Sequence, residues 1–353
     1  MNPIRRCTPP GWNLALALTS FAALLITAGP CAAEATATDD GADIQEWTVP
    51  YPNSRPRDPS VGDDGRIWFV GQTDNYLGVF DPESQQFERI GLPQGARPHS
   101  VTVAPNGDPW VAGNGDGTLL RYSPAGQLEQ TIEVPTSSGL KVRDPHTLAF
   151  DGHGGLWFSM QNGNAIGHLL LASAELTVIP MQTEKSRPYG LVSDAQGNAW
   201  AVLFAGGKLV RIDRQSKAVQ EYPLPRELAR PRRLALDDQQ RVWYVDYAQD
   251  VLGRFDPGSG EFKEWALPKR PAAPYAMAID ARQRVWLFLT APQPNTVLSF
   301  DPRNETFSAA QPIESGAGAV RHAEYHRASD SIWFGTDRNT LGQLRLSAIS
   351  ADD

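Results

Sequence analysis

Residues 231–268 read PRRLALDDQQRVWYVDYAQDVLGRFDPGSGEFKEWALP and contain four short apolar segments separated by polar turns. The segments are rich in Val, Leu, Phe, Tyr and Trp, which favour strands, and the turns contain Asp, Gly, Pro and Ser. Apolar residues do not recur with the 3.6-residue period of a helix. The stretch therefore predicts a small four-stranded antiparallel sheet.

The same pattern recurs along the chain, and a tryptophan marks each copy. The intervals between successive tryptophans are 42, 47, 43, 43, 43 and 47 residues. Periods of this size, with four strands in each, are typical of β-propellers. We therefore predict an all-β, seven-bladed β-propeller with four strands per blade. The marker tryptophans are Trp68, Trp110, Trp157, Trp200, Trp243, Trp286 and Trp333.

The two ends of the repeat predict how the ring closes. After LGQL at 341–344, the chain has too few residues left for a fourth strand in the last blade. Near the start, IQEWTVP at 44–50 matches the outermost strands VQEYPLP at 219–225 and FKEWALP at 262–268. We expect the N-terminal strand to complete the seventh blade, which removes the free edges of an open array.

Residues 1–33 have the pattern of a secretory signal peptide. Arg5 and Arg6 precede an apolar run, and small residues precede Glu34. We predict that this segment is removed and that the mature protein is periplasmic or secreted without a stable membrane span. Retention of the segment as an N-terminal anchor is the alternative. We expect a flexible lead-in at 34–42, one propeller at 43–347 and a short tail at 348–353.

Charge and cysteine content exclude several classes of function. Both cysteines, Cys7 and Cys31, lie in the predicted signal, so the mature chain would have no disulfide and no cysteine metal site. Loss of Arg5 and Arg6 would change the formal net charge from −8 to −10, which argues against nucleic-acid binding. The chain has no P-loop, dinucleotide fingerprint or Gly-x-Ser-x-Gly elbow. We expect a monomer that binds a small molecule, with a protein partner as an alternative.

One repeat position predicts a ligand site at the mouth of the central channel, namely the residue after the proline that opens the first strand of each blade. In this alignment it is Ser60, His99, His146, Tyr189, Arg232, Tyr275 and His322. Arg97, Arg187 and Arg230 directly precede three of these prolines, and Arg57, Arg143 and Arg321 lie near the same level.

Histidine, tyrosine and arginine in one ring donate hydrogen bonds and positive charge, which suits an anionic or polyhydroxylated ligand. A polar channel that only holds ordered water is the alternative. The predicted substrate-binding residues are His99, His322, Tyr189, Tyr275, Arg232 and Arg97. The other histidines, His153, His168 and His326, fall in turns or outer strands, where structural roles are expected.

The residue three past each marker tryptophan forms a second ring, and Asp246 is its only carboxylate. A lone acid at this level could be a metal ligand or a general base. The alternative that we favour is an ion pair with Arg232 or Arg233, because arginines crowd the mouth.

The repeat resembles the family of virginiamycin B (streptogramin B) lyases over residues 42–346. The matching pieces are RPYGL at 187–191, HGGLWF at 153–158, NAIG at 164–167, LGRFDP at 252–257 and EYPLP at 221–225. The resemblance implies a seven-bladed propeller. For members that are lyases, it also implies elimination across the ester bond of a cyclic depsipeptide, with a strand-one histidine as the base and Mg²⁺ held by carboxylates.

Mapped onto this sequence, the resemblance implies His146 as the base, with Asp144 orienting it or helping to hold Mg²⁺. Asp246 is the other candidate metal ligand. The family's second carboxylate, three past the tryptophan, corresponds here to Met160. Two functions therefore stay open: a metal-assisted carbon–oxygen lyase, which the histidine cluster favours, and a non-catalytic sensor or scaffold, which Met160 favours. The count of seven blades argues against a six-bladed lactonase.

Overall fold

The computed structural model describes residues 42–346. The predicted signal peptide, both cysteines, residues 34–41 of the lead-in and the tail at 348–353 lie outside the described residues. Within 42–346, seven antiparallel sheets follow one another along the chain, as the repeat predicts. This part of the chain has no helix that is long and apolar enough to span a membrane.

The first four blades each take four consecutive strands. Blade 1 contains β2 (Pro56–Val61), β3 (Ile67–Gly71), β4 (Tyr76–Asp81) and β5 (Gln86–Gly91). Blade 2 contains β6 (Pro98–Val103), β7 (Pro109–Gly113), β8 (Thr118–Tyr122) and β9 (Leu128–Glu133), followed by a 3₁₀ turn at Thr136–Ser138. Blade 3 contains β10 (Pro145–Phe150), β11 (Gly155–Met160), β12 (Ala165–Leu170) and β13 (Glu175–Pro180). Blade 4 contains β14 (Pro188–Ser193), β15 (Ala199–Leu203), β16 (Lys208–Ile212) and β17 (Val219–Pro223).

The last three blades complete the ring. Blade 5 contains β18 (Pro231–Leu236), β19 (Val242–Asp246), β20 (Val251–Asp256) and β21 (Glu261–Ala266). Blade 6 contains β22 (Pro274–Ile279), β23 (Val285–Leu289) and β24 (Thr296–Asp301), with its outer strand split into β25 (Thr306–Phe307) and β26 (Gln311–Pro312). Blade 7 contains β27 (Val320–His326), β28 (Ser331–Thr336) and β29 (Thr340–Arg345), and β1 (Asp43–Thr48) pairs with β29 as its fourth strand.

The predicted closure by the N-terminal strand is confirmed. Strand β1 runs antiparallel to β29, with Trp47 opposite Leu341. The Trp47 ring stacks on Trp333 at a centroid distance of 5.5 Å, just as Trp265 stacks on Trp243 at 5.4 Å within blade 5. The N-terminal strand thus repeats the outer-strand contact of a complete blade.

The marker tryptophans fill the space between blades, and all seven are at most 4% exposed. Burying large rings of this kind supplies much of the apolar stabilisation of the core. In blade 5 the Trp243 indole donates to Asp237 at 2.8 Å, and the same carboxylate accepts the backbone N–H groups of Gln239 and Arg241. One aspartate therefore holds both the turn before the second strand and the indole of that strand.

The first strand of every blade carries a register shift at the same place. In blade 3, Pro145 lies opposite Met160, but Leu148 lies opposite Phe158, so one extra residue is accommodated. Such bulges change the direction in which side chains project. Because of this bulge, the consecutive residues His146 and Thr147 both reach the central channel.

Candidate functional site

The strand registers define which residues form the mouth of the channel. In six blades the strand-opening proline lies opposite the residue three past the tryptophan, and in blade 7 Val320 takes this place opposite Thr336. We call the residues that follow these seven positions the mouth ring. The mouth ring consists of Arg57, His99, His146, Tyr189, Arg232, Tyr275 and Arg321.

This register corrects two positions of the sequence alignment. In blade 1 the opening proline is Pro56 rather than Pro59, so the ring residue is Arg57 and Ser60 lies deeper, opposite Trp68. In blade 7 the ring residue is Arg321, and the predicted substrate-binding His322 lies one position further along the strand. The mouth is therefore more basic than the sequence alone indicated.

Four aromatic side chains of the mouth ring are in mutual contact. The imidazoles of His99 and His146 stack with centroids 3.4 Å apart, and His146 lies 4.3 Å from the Tyr189 ring. The hydroxyl oxygens of Tyr189 and Tyr275 are 2.5 Å apart. These four residues are each at most 6% exposed, so they close much of the channel at this level.

The arginines complete the mouth ring. The Arg232 guanidinium lies 3.7 Å from the Phe204 centroid and 4.9 Å from those of Tyr247 and Tyr275, distances at which cation–π attraction is favourable. Arg321 donates to the Tyr275 hydroxyl at 3.3 Å. The predicted Arg97 is instead an exposed residue that directly precedes the strand.

The residues four past the tryptophans also contribute to the mouth, although they were not predicted from the sequence. Gln72 accepts a hydrogen bond from Arg57 at 3.2 Å. Asp337 accepts from Arg321 at 2.7 Å and from Arg55 at 2.9 Å. Phe204 and Tyr247, which contact Arg232, hold the same repeat position. A signal for this position was available in the sequence. Side chains alternate between the two faces of a strand, so the residue four past the tryptophan and the residue three past it have different neighbours.

One ion pair crosses the channel directly below the mouth ring. Arg233 of blade 5 donates to Asp58 of blade 1 at 3.0 Å, to Thr147 of blade 3 at 3.1 Å and to the carbonyl of Arg321 in blade 7 at 2.8 Å. Arg233 and Asp58 are each 3% exposed. Burial would raise the pKa of Asp58, but Arg233 and Arg57 outweigh it and lower that pKa, so the carboxylate is ionised.

A cavity of about 360 Å³ lies on the other side of this ion pair, lined by strand one of all seven blades. His322 and Glu324 line it, together with mainly apolar residues such as Leu148 and Leu234. The structure thus separates His322 from the mouth ring, to which the sequence had assigned it. Of the remaining histidines, His168 stacks on Trp157 at 3.9 Å and bonds Asp151, which fits the structural role expected for it.

Both ring histidines are neutral at pH 7. Burial, followed in effect by the positive charge of Arg57, holds the pKa of His99 well below its usual value. Burial and then Arg233 do the same for the pKa of His146. In the hydrogen-bonded tyrosine pair, burial raises the pKa of Tyr189, whereas Arg232, Arg57 and Arg321 together outweigh burial and lower the pKa of Tyr275. The mouth therefore stabilises negative charge and disfavours additional positive charge.

Several buried donors and acceptors of the mouth ring have no hydrogen-bond partner among residues 42–346. They are Nε and Nη2 of Arg57, Nε of Arg232, Nδ1 of His99 and Nε2 of His146. Leaving such groups unpaired costs free energy, since buried polar atoms are nearly always satisfied. These atoms have almost no accessible surface, so a ligand or a water molecule would reach them only after the side chains that cover them move.

The two predicted carboxylates point elsewhere. Asp144 accepts the backbone N–H groups of Asn162 and Gly163 at 2.7 and 2.8 Å, so it holds the turn between β11 and β12. Asp246 accepts the backbone N–H of Arg230 at 3.0 Å together with two turn amides. The expected ion pair of Asp246 with Arg232 or Arg233 is wrong, because backbone amides occupy the carboxylate and Arg233 binds Asp58.

The donor set around His146 does not fit Mg²⁺, which prefers several oxygen ligands in octahedral geometry. Asp144 is bound to turn amides, Met160 lies opposite Pro145, and cationic Arg233 and Arg57 lie near the imidazole. Within 42–346, no three His, Cys, Asp or Glu side chains are grouped as a metal site would require. The magnesium implied by the resemblance stays a prediction that this donor set does not favour.

A seven-bladed ring with histidines on strand one is the arrangement that the resemblance implied, and comparison of the sequence with family profiles decides the family. The virginiamycin B lyase family profile matches residues 14–295. The chain belongs to the virginiamycin B lyase family. No curated protein matches the chain.

Solved structures of this family share the fold. The chain is similar to a streptogramin B lyase with 22% identity and a TM-score of 0.77, over 86% of this chain and 97% of that one. It is also similar to a catalytically inactive virginiamycin B lyase from Staphylococcus aureus with quinupristin, with 20% identity and a TM-score of 0.78, over 86% and 99% of the two chains.

A more distant likeness joins the chain to a different class of protein. It is similar to the extracellular domain of a B. thetaiotaomicron protein described as a one component system, with 15% identity and a TM-score of 0.61. That match covers 85% of this chain and 42% of the other. At these identities the likeness concerns the fold, and propellers of one fold serve many functions.

Proposed function

We propose that this chain is an exported propeller that binds a small anionic ligand at the mouth ring. The charge balance of the mouth carries the proposal. Arg233 and Arg57 share the carboxylate of Asp58, and Arg321 and Arg55 share that of Asp337. Among the described residues, Arg232 has no carboxylate within ion-pair distance. The cluster therefore has positive charge in excess.

The side chains around Arg232 suggest the chemical class of the ligand. Its guanidinium rests against the faces of Phe204 and Tyr247, so its edge is free to bind a carboxylate or phosphoryl oxygen. The partly exposed Tyr247 also offers a flat surface for a small organic body. We infer a compact ligand that combines a carboxylate or phosphoryl group with a ring or a sugar-like part.

Thermal unfolding of residues 34–353 tests anion binding. Acetate, malonate, citrate and phosphate are compared at constant ionic strength and pH 7. An anion at 100 times its dissociation constant should stabilise the fold by about 2.7 kcal/mol. Arg232→Gln should abolish this gain, whereas the exposed Arg327→Gln should retain it. If no anion raises the melting temperature at millimolar concentration, the proposal fails.

Export is supported by the pattern of residues 1–33 and by the likeness to an extracellular domain. The test is N-terminal sequencing of the chain recovered from periplasm and culture medium of a bacterial host. A mature chain that starts near Glu34 and is absent from the cytoplasm is the expected result. A chain that stays cytoplasmic with an intact N terminus would contradict export.

A second candidate function is base-assisted elimination on an ester, favoured by family membership and by the two neutral histidines of the mouth ring, His99 and His146. A base would take the proton beside a carbonyl, the ester carbon–oxygen bond would break, and an alkene and a carboxylic acid would result without water. Incubation with quinupristin and mass spectrometry would test it. A ring-opened product of unchanged mass indicates elimination, a gain of one water indicates hydrolysis, and unreacted quinupristin argues against this candidate.

A further inference from the structure

We propose that Arg233 and Thr147 fix the tautomer of His146 with the proton on Nε2, so that this buried atom of the mouth ring is a hydrogen-bond donor and not a base. The chain of contacts runs from Asp58 through Arg233 and Thr147 to His146. The position of the proton on the His146 ring follows from which atoms along these contacts donate hydrogen bonds and which accept them.

The first link is a guanidinium in a fixed position. Arg233 is held by Asp58, by the carbonyl of Arg321 and by Thr147, and it lies 5.4 Å from the Tyr189 centroid. Because its contacts reach blades 1, 3 and 7 from blade 5, movement of the side chain would break bonds on three sides of the channel. A guanidinium has no acceptor, so the Oγ1 atom of Thr147 must accept from it.

The second link is the Thr147 hydroxyl. Its oxygen lies 3.1 Å from Nη1 of Arg233 and 3.0 Å from Nδ1 of His146. The hydroxyl oxygen has two lone pairs, so it could accept from both Arg233 and an Nδ1–H group, but its own proton would then have no acceptor among the described residues. If the hydroxyl instead donates to Nδ1 of His146, every donor of the pair is satisfied. Nδ1 therefore carries the lone pair. Since the tautomer of a histidine is set by the bond that one ring nitrogen makes, the proton lies on Nε2.

The surroundings of the ring keep it to a single proton. His146 is 1% exposed, and Asp58, the nearby carboxylate that would stabilise a positive charge on it, is already paired with Arg233. The adjacent His99 stacks at 3.4 Å and is neutral as well. The unpaired Nε2 atom is thus an N–H donor that lacks an acceptor within residues 42–346.

This assignment changes the role of His146 in the mouth. An N–H donor beside the arginines can bind a ligand oxygen, whereas a base needs a free lone pair at the same atom. The ligand contact rests on the proposed anion binding, but the tautomer does not. Thr147 and Arg233 are positioning residues in this account, since they act on the ligand through His146.

The test is ¹⁵N–¹H correlation spectroscopy through two bonds on histidine-labelled residues 34–353 without added anions, with His146→Gln used only for assignment. The wild type should show His146 protonated on Nε2. Thr147→Val should lose this preference, whereas Thr147→Ser, which keeps the hydroxyl, should retain it. If Thr147 had only a structural role, Thr147→Val and Thr147→Ser would show the same tautomer of His146.

Protonation on Nδ1 in the wild type would overturn the inference, even if Thr147→Val failed to fold, and would make His146 available as a base. An unchanged tautomer in a folded Thr147→Val would also overturn it. Anion binding is read separately from melting temperatures. If Nε2 carries the proton and no anion binds, the proposed anion binding is wrong but the tautomer assignment stands. If citrate binds and Nδ1 carries the proton, the tautomer assignment is wrong but anion binding stands.

Discussion

Replacing Glu324 by glutamine should stabilise the propeller, and the gain should depend on pH. Burial raises the pKa of Glu324 from its ordinary value of 4.5 to about 7, although bonds from the Val61 N–H and the Ser60 hydroxyl partly oppose this. A tenfold change in proton affinity corresponds to about 1.4 kcal/mol. The ionised carboxyl therefore costs the fold about 3 kcal/mol once the pH exceeds both values.

The sign follows from the direction of the shift. Because the folded pKa lies above the unfolded one, the protonated side chain favours folding below about pH 4.5, and this contribution disappears as the pH rises through 7. Glutamine resembles the protonated acid and keeps an acceptor for Val61. Urea unfolding should show Glu324→Gln about 3 kcal/mol more stable than the wild type at pH 8 and nearly equal at pH 4.

A matched control is Glu88→Gln on the exposed outer strand β5, which should change the unfolding free energy by less than about 0.5 kcal/mol at either pH. If Glu324→Gln were no more stable than the wild type at pH 8, or if its effect were the same at both values of pH, folding would not desolvate this carboxyl.

Three further substitutions and one control substitution test the fold by urea unfolding. Asp58→Asn leaves the buried Arg233 without a counter-charge and should cost about 3–5 kcal/mol; a loss below about 1 kcal/mol would mean that Arg233 is solvated. Asp237→Ala removes the acceptor of an indole and of two turn amides and should cost about 2 kcal/mol. The exposed Asp238→Ala should cost less than about 0.5 kcal/mol, and equal losses would contradict this role. Trp47→Ala should cost about 3 kcal/mol, because it removes the ring that packs across the closure, and an unchanged midpoint would argue against closure by β1.

The fold could be predicted from the sequence because its signals are local and repeated. Each blade buries one tryptophan at the same place, so the spacing of these residues counts the blades directly. The N-terminal strand was recognisable because Trp47 must fill the same space on Trp333 that Trp265 fills on Trp243. Repeated packing demands repeated residues, which leaves a readable pattern.

The mouth was only partly predictable because the bulge on strand one hides its register. Blade 1 has prolines at both Pro56 and Pro59, and blade 7 opens with Val320, so an alignment on proline chose Ser60 and His322 in place of Arg57 and Arg321. The five other ring positions were identified correctly, since their prolines are unambiguous. A one-residue error changes which side chains reach the channel.

Contacts across the channel could not be predicted from repeat spacing. Arg233 meets Asp58 from a blade far away in the sequence, and only a closed ring places them 3.0 Å apart. The direction of the Asp246 carboxylate was equally hidden, because backbone amides of its own turn compete with arginines for it. Spacing places residues on a strand, but the partner of a charged side chain depends on every group within its reach.

The most direct test of the central claim, that the mouth binds an anion, is a crystal structure of residues 34–353 soaked in selenate, with anomalous data collected at the selenium edge. The expected result is a selenate at the mouth ring within hydrogen-bond distance of Arg232 and Arg321. A parallel soak in Mn²⁺ should leave the surroundings of His146 and Asp144 without metal. A mouth that excludes selenate, or that binds Mn²⁺ between His146 and Asp144, would contradict anion binding at the mouth ring.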